Sequence, residues 1–152
     1  KEVALRQLDV RARSQHELES AMTSRGFSSE TAHEVIERLA ELGLVDDLAF
    51  ARAFARGRFE AGGKTGSALK MDLSRKGLSS QIIAQVLSEI DADEEYSRAH
   101  ALAEKKMRSL TVHDRQVIRR RLFSMLARKG YAPQVCIRVI DELLESEDCD
   151  EL

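Results

Sequence analysis

A chain of 152 residues, 43% hydrophobic and 33% charged but only 5% aromatic and with one proline, has room for one ordinary domain or a few small units in series. That balance excludes a disordered polar chain and argues against an aromatic-rich β-sandwich, leaving a helix-rich protein. The formal charge is only −2, no apolar run approaches about 18 residues, and no charged-then-apolar leader opens the chain, so neither a membrane span nor a secretion signal is expected.

The elements follow in chain order. A first helix is predicted over about Glu2 to Arg13, and Lys1 in place of Met leaves room for a segment ahead of it. Ser14 with Glu17 forms a capping box that opens a second helix, in which Leu18 and Met22 lie one turn apart. Arg25 complements the negative end of that helix, Gly26 closes it in the left-handed conformation, and Ser28 caps the third. Phe27, just ahead of the cap, is placed to staple onto Ala32.

A fourth helix is predicted over about Asp46 to Ala61, because Phe50, Ala51, Phe54, Ala55 and Phe59 recur at three- and four-residue steps. Asp46 as its cap, with a Val45–Phe50 staple, accounts for the Asp46-Asp47 carboxylate pair without catalysis. The stretch "AGGKTGS" that follows resembles half of a phosphate-binding loop. The full pattern needs a glycine at position 58, which is Arg58, and a strand before it where this chain has a helix. Gly62, Gly63 and Gly66 are therefore read as a helix break, and no nucleotide or other cofactor is expected. The fifth helix ends at Lys76-Gly77, after which Ser79 caps the sixth and Leu78 faces Ile83.

The seventh helix is predicted over about Asp93 to Ser109, with Glu94 and Glu95 as acids near its start, and a second capping box, Thr111…Asp114, opens the eighth. The eighth ends at Lys129-Gly130, and the ninth starts at Pro133, with Tyr131 facing Cys136. Leu18, Leu69 and Leu122 each lie eight residues before Gly26, Gly77 and Gly130, which are 51 and 53 residues apart. Such a period marks an array of helical units. The reading is an all-α chain of three tandem three-helix repeats, elongated and curved, with units 1–43, 44–91 and 92–146 and an acidic tail 147–152. Gly26, Gly77 and Gly130 are their structural caps.

No catalytic or metal-binding set emerges. His16, His33, His100 and His113 are scattered without ligand spacing, and Cys136 and Cys149 read as inert reduced thiols of a cytoplasmic protein. Charge carries more information. Arg52 to Lys76 nets +5, Arg98 to Lys129 nets +8, and Asp141 to Leu152 holds seven acids and no base. The first basic surface is expected to comprise Arg52, Arg56, Lys64, Lys70 and Lys76, the second Arg119, Arg120 and Lys129. Arg119, Arg120 and Arg121 spread over about 200° of their helix, so at least one is expected to be solvated or paired with an acid. With little aromatic interleaving, contacts to single-stranded or duplex DNA would be to phosphates and independent of sequence.

Four stretches together, "LRQLDVRARSQHEL", "GLVDDLAFARAFARGR", "LKMDLSRKGLS" and "RRRLFSMLARKGYAPQVCIRVI", resemble the RecX family, bacterial regulators of the RecA recombinase. Thr65-Gly66-Ser67 departs from the family's proline-bearing turn. The resemblance implies three tandem three-helix repeats and a non-catalytic, monomeric protein. It would bind the RecA–DNA filament and suppress strand exchange and ATP hydrolysis, in the regulation of recombination, DNA repair and the SOS response. A helix–turn–helix regulator acting on duplex DNA without RecA is the alternative, suggested by the turns at Gly26, Gly77 and Gly130.

Overall fold

A computed structural model of the chain describes the backbone of residues 1–10 and 13–150, and side chains within 1–6 and 13–147. The described residues form nine helices and no strand: α1 Glu2–Val10, α2 Gln15–Thr23, α3 Ser29–Glu41, α4 Asp47–Gly62, α5 Gly66–Arg75, α6 Ser80–Ser88, α7 Ala92–Ser109, α8 Arg115–Arg128 and α9 Pro133–Asp150. The end of the predicted first helix includes Arg11 and Ala12, which lie outside the described residues, as does the side chain of Cys149.

By contacts the chain divides into two compact units, Lys1–Arg56 with Met71–Val86, and Gly57–Lys70 with Leu87–Leu152. The division cuts through α4 and α5, so the middle helical triple contributes to both.

In the first unit Ala4, Leu18, Met22, Ala32, Ile36, Leu39 and Val45 are buried together around α1, α2 and α3. Their three- and four-residue spacing puts one face of each helix inward. The capping box at Ser14 is complete. Its hydroxyl accepts the Glu17 N–H at 3.1 Å, and the Glu17 carboxylate accepts the Ser14 N–H at 3.3 Å. The Ser14 hydroxyl also donates to the carbonyl of Lys76 at 2.8 Å. Gly77, at φ +75°, follows that carbonyl, and a Cβ there would run into the side chain of His16. Asp46 caps α4 by accepting the Ala49 N–H at 3.1 Å, and Asp47 accepts the Gln15 N–H at 2.9 Å. Both carboxylates of the pair thus hold helix starts.

The second unit repeats this junction. Thr65 takes the place of Ser14, 51 residues on, and the two are the buried polar residues among those described. The Thr65 N–H donates to the Lys129 carbonyl at 2.9 Å, its hydroxyl donates to Glu95 at 3.1 Å, and its carbonyl accepts the Leu69 N–H that starts α5. Gly130, at φ +98°, packs so closely that a Cβ would strike the Thr65 carbonyl. The glycine break at 62–66 is therefore an elbow on which the α8–α9 turn sits. Around it Ala99, Ala103, Ile118, Leu122, Leu126, Tyr131, Cys136, Val139, Ile140, Leu143 and Leu144 make a single core of α7, α8 and α9.

One local expectation changes, and one set of counterparts differs in burial. Asp114 itself, not Thr111, is the cap of α8, accepting the Gln116 N–H at 2.9 Å, because its short carboxylate reaches the second N–H of the helix directly. Phe27 remains 39% exposed, whereas its counterparts Leu78 and Tyr131 are buried. Among the described residues nothing lies within 4 Å of where a Gly26 Cβ would stand, unlike at Gly77 and Gly130.

Candidate interaction surfaces

The basic residues are sorted by what the fold does with them. In the first unit Arg52 and Arg56 stand one turn apart on α4, both exposed. Lys76 is drawn inward: its ammonium lies 3.2 Å from the Glu17 carboxylate and 5.5 Å from the centre of the Phe54 ring. Ion pairing and a cation–π contact thus hold its head group while its carbonyl receives Ser14.

In the second unit Lys70 is exposed and Lys64 half-buried within the elbow. Lys129 caps α8 and reaches back, its ammonium donating to the Gly62 carbonyl at 2.6 Å. That bond satisfies a carbonyl at the end of α4. Arg119 pairs with Asp141 at 2.6 Å, so of the two outcomes open to an arginine of the 119–121 run, solvation or an acid partner, this one has the acid. Arg120 has no ion-pair partner among the described residues and is exposed. The five residues expected on the first surface fall into two units, Arg52, Arg56 and Lys76 in one and Lys64 and Lys70 in the other.

One feature escaped the reading by charge. Arg119 and Arg120 share a groove of about 460 Å³ between α8 and α9, whose apolar lining is Phe123, Ile137 and Ile140. The signal was present as the spacing Gln116, Arg119, Arg120, Phe123, Ser124 along one stripe of α8, but the opposite wall belongs to α9. Beside Gly63, burial first and then the Glu95 carboxylate push the Tyr131 phenol up to about 12, against a smaller opposing pull from Arg98. Burial also raises the Cys136 thiol, which makes it a poor nucleophile. Among the described residues no helix is long and apolar enough to cross a membrane, and no group of three or more His, Cys, Asp or Glu converges as metal ligands do.

These features define an all-helical tandem repeat protein that presents exposed arginines on α4 and α8 and a groove between α8 and α9. Family models describing the first, second and third three-helix domains of RecX match residues 1–39, 46–87 and 93–140. The chain belongs to the RecX family. It is 38% identical over 144 residues to the regulatory protein RecX of Amycolatopsis mediterranei, covering 95% of this chain and 82% of that protein. It is 37% identical over 151 residues to that of Mycolicibacterium smegmatis, covering 97% and 80%. A crystal structure of RecX from Lactobacillus salivarius superposes with a TM-score of 0.85 at 24% identity, over 92% of this chain and 91% of that one. A second, of regulatory protein RecX, gives 0.82 at 20% identity, over 92% and 70%. At those identities the two structures establish the fold. The relatives are named regulatory proteins.

Proposed function

We propose that this protein is a non-catalytic, cytoplasmic modulator that binds the RecA–DNA filament as a monomer. It lowers RecA strand exchange and ATP hydrolysis, and so regulates recombination and DNA repair within the SOS response. The observation that carries this reading is the match of three successive RecX domains along the chain, in proteins named regulatory. The exposed arginines support it, since a filament presents DNA phosphates as well as protein surface. The functional segments are taken as 1–43, 44–91 and 92–146, with 147–152 as an acidic tail.

In this reading Arg52, Arg56 and Lys70 supply contacts from exposed positions, Arg119 and Arg120 supply others, and Lys64 adds charge from the elbow. Lys76 and Lys129 act first within the fold, so their contribution to binding is through the backbone turns they hold. Contacts to DNA are to phosphates and independent of sequence.

The test is a titration of this protein into RecA on single-stranded DNA, following ATP hydrolysis and strand exchange. Inhibition at or below stoichiometric ratios is expected, and its absence would overturn the reading. Arg52→Glu/Arg56→Glu and Arg119→Glu/Arg120→Glu are each expected to weaken inhibition about tenfold or more. Tight, sequence-specific binding to duplex DNA without RecA would instead establish the helix–turn–helix alternative.

A further inference from the structure

The groove between α8 and α9 combines two chemistries that a phosphate backbone alone would not use. Its apolar lining is Phe123 from α8 with Ile137 and Ile140 from α9, and Ile137 is 49% exposed at its mouth. Arg119 and Arg120 line the same groove from the preceding turn of α8. The groove runs along the edge of the core, since Ile140 belongs to that core and Phe123 packs against it, while the two arginines stand outside it. The core stripe of Ile118, Leu122 and Leu126 lies roughly a third of a turn away at about 100° per residue.

We propose that this groove docks an acidic protein segment bearing an aliphatic side chain. The aliphatic group enters over Ile137 and Phe123, where it leaves water, and a flanking carboxylate meets the Arg120 guanidinium. Arg119 already demonstrates the polar half of this recognition, since Asp141 sits against it at 2.6 Å. Arg120 has no such acid among the described residues and supplies the open position. The apolar part argues for a peptide over a nucleic acid. Phe123 is partly buried against the core, and Ile137, the most exposed apolar part of the lining, presents no flat ring for a base to stack on, while a phosphate gains nothing from displacing water there. Arginine is also among the residues that dominate binding at protein interfaces. The inference rests on the groove itself and holds whichever protein carries the segment.

The experiment measures anisotropy of a fluorescein-labelled synthetic peptide in which leucine pairs alternate with Asp and Glu, titrated with the full chain. Saturable binding is expected, weakened about tenfold by Ile137→Ser, about tenfold by Arg120→Ala, and about tenfold when the peptide's leucines are replaced by serine. Added salt should weaken the wild type and Ile137→Ser steeply, and Arg120→Ala less. Both substituted residues are exposed, so circular dichroism and thermal melting should match wild type and exclude unfolding as the cause. Absence of saturable binding, equal affinity for the leucine-free peptide, or indifference to both variants would overturn the proposal. So would full displacement by oligothymidylate that Ile137→Ser leaves unchanged, which would make the groove an anion patch. A dimer in sedimentation that Ile137→Ser dissociates would show that a second copy fills it instead.

Discussion

Tyr131 is buried beside the Gly130 turn, and its phenol O–H has no hydrogen-bond partner among the described residues. Burial and the Glu95 carboxylate raise its pKa from 10.0 to about 12 in the folded chain. A raised folded value favours the protonated form, so the associated stability is complete below pH 10 and lost as pH climbs from about 10 to about 12. Urea midpoints at pH 8 and pH 11 should therefore fall less for Tyr131→Phe than for wild type. At pH 7 the same substitution should change stability by no more than about 1 kcal/mol, because no protein hydrogen bond is lost. Lys76 gives a contrasting case. Lys76→Ala removes the Glu17 ion pair and the Phe54 contact, so a loss of thermal stability should accompany any loss of inhibition. Lys70→Ala, on an exposed position, should leave the melting temperature unchanged.

At the scale of helices and turns, three glycines that look equivalent in sequence are not equivalent in cost. Gly26, Gly77 and Gly130 all have positive φ, so alanine at any of them pays about 1 kcal/mol in backbone strain. At Gly26 nothing else stands in the way, whereas at Gly77 a Cβ meets His16 and at Gly130 it meets the Thr65 backbone. Chemical denaturation should rank the losses Gly130→Ala above Gly77→Ala above Gly26→Ala, with the first at about 3 kcal/mol or more. Two caps divide in the same way. Ser28→Ala should cost about 1 kcal/mol, and Ser14→Ala about 2, since the latter also takes the donor from the part-buried Lys76 carbonyl. The helices themselves were legible because apolar spacing, caps and stop glycines are local signals, which is why Asp46, Ser28, Ser79 and Pro133 stand where expected. The elbows were not. Ser14 and Lys76 are 62 residues apart, and the offset of 51 shared by Ser14–Thr65 and Gly26–Gly77 marks equivalent positions without saying that the first of one pair meets the turn at the second of the other. The groove was invisible for a similar reason: Arg119 and Arg120 were read by angle on one helix, while Ile137 came from another.

For the whole molecule the net charge of −2 says little, because its effect depends on where the fold leaves each charge. Of the eight basic residues singled out, Lys76 and Lys129 hold turns and Arg119 holds Asp141. Binding to filament DNA should therefore show a shallower salt dependence than the count of lysines and arginines suggests. Each of Arg52 and Arg56 that touches a phosphate should, when changed to alanine, reduce the slope of log affinity against log salt by about 1. The same measurement on Arg120→Ala should leave that slope unchanged if the α8–α9 groove takes a peptide.

The turn-on-elbow junctions also impose a timetable. Ser14 leaves the ribosome 62 residues before Lys76, the partner that covers it. At common elongation rates the interval is about 3–12 s, far longer than a helix needs to form. The first three helices therefore exist for a time with a finished cap and an open seat. Nascent chains halted before residue 76 should be helical yet readily cleaved near Ser14, and protection there should appear only once the Lys76-Gly77 turn has emerged.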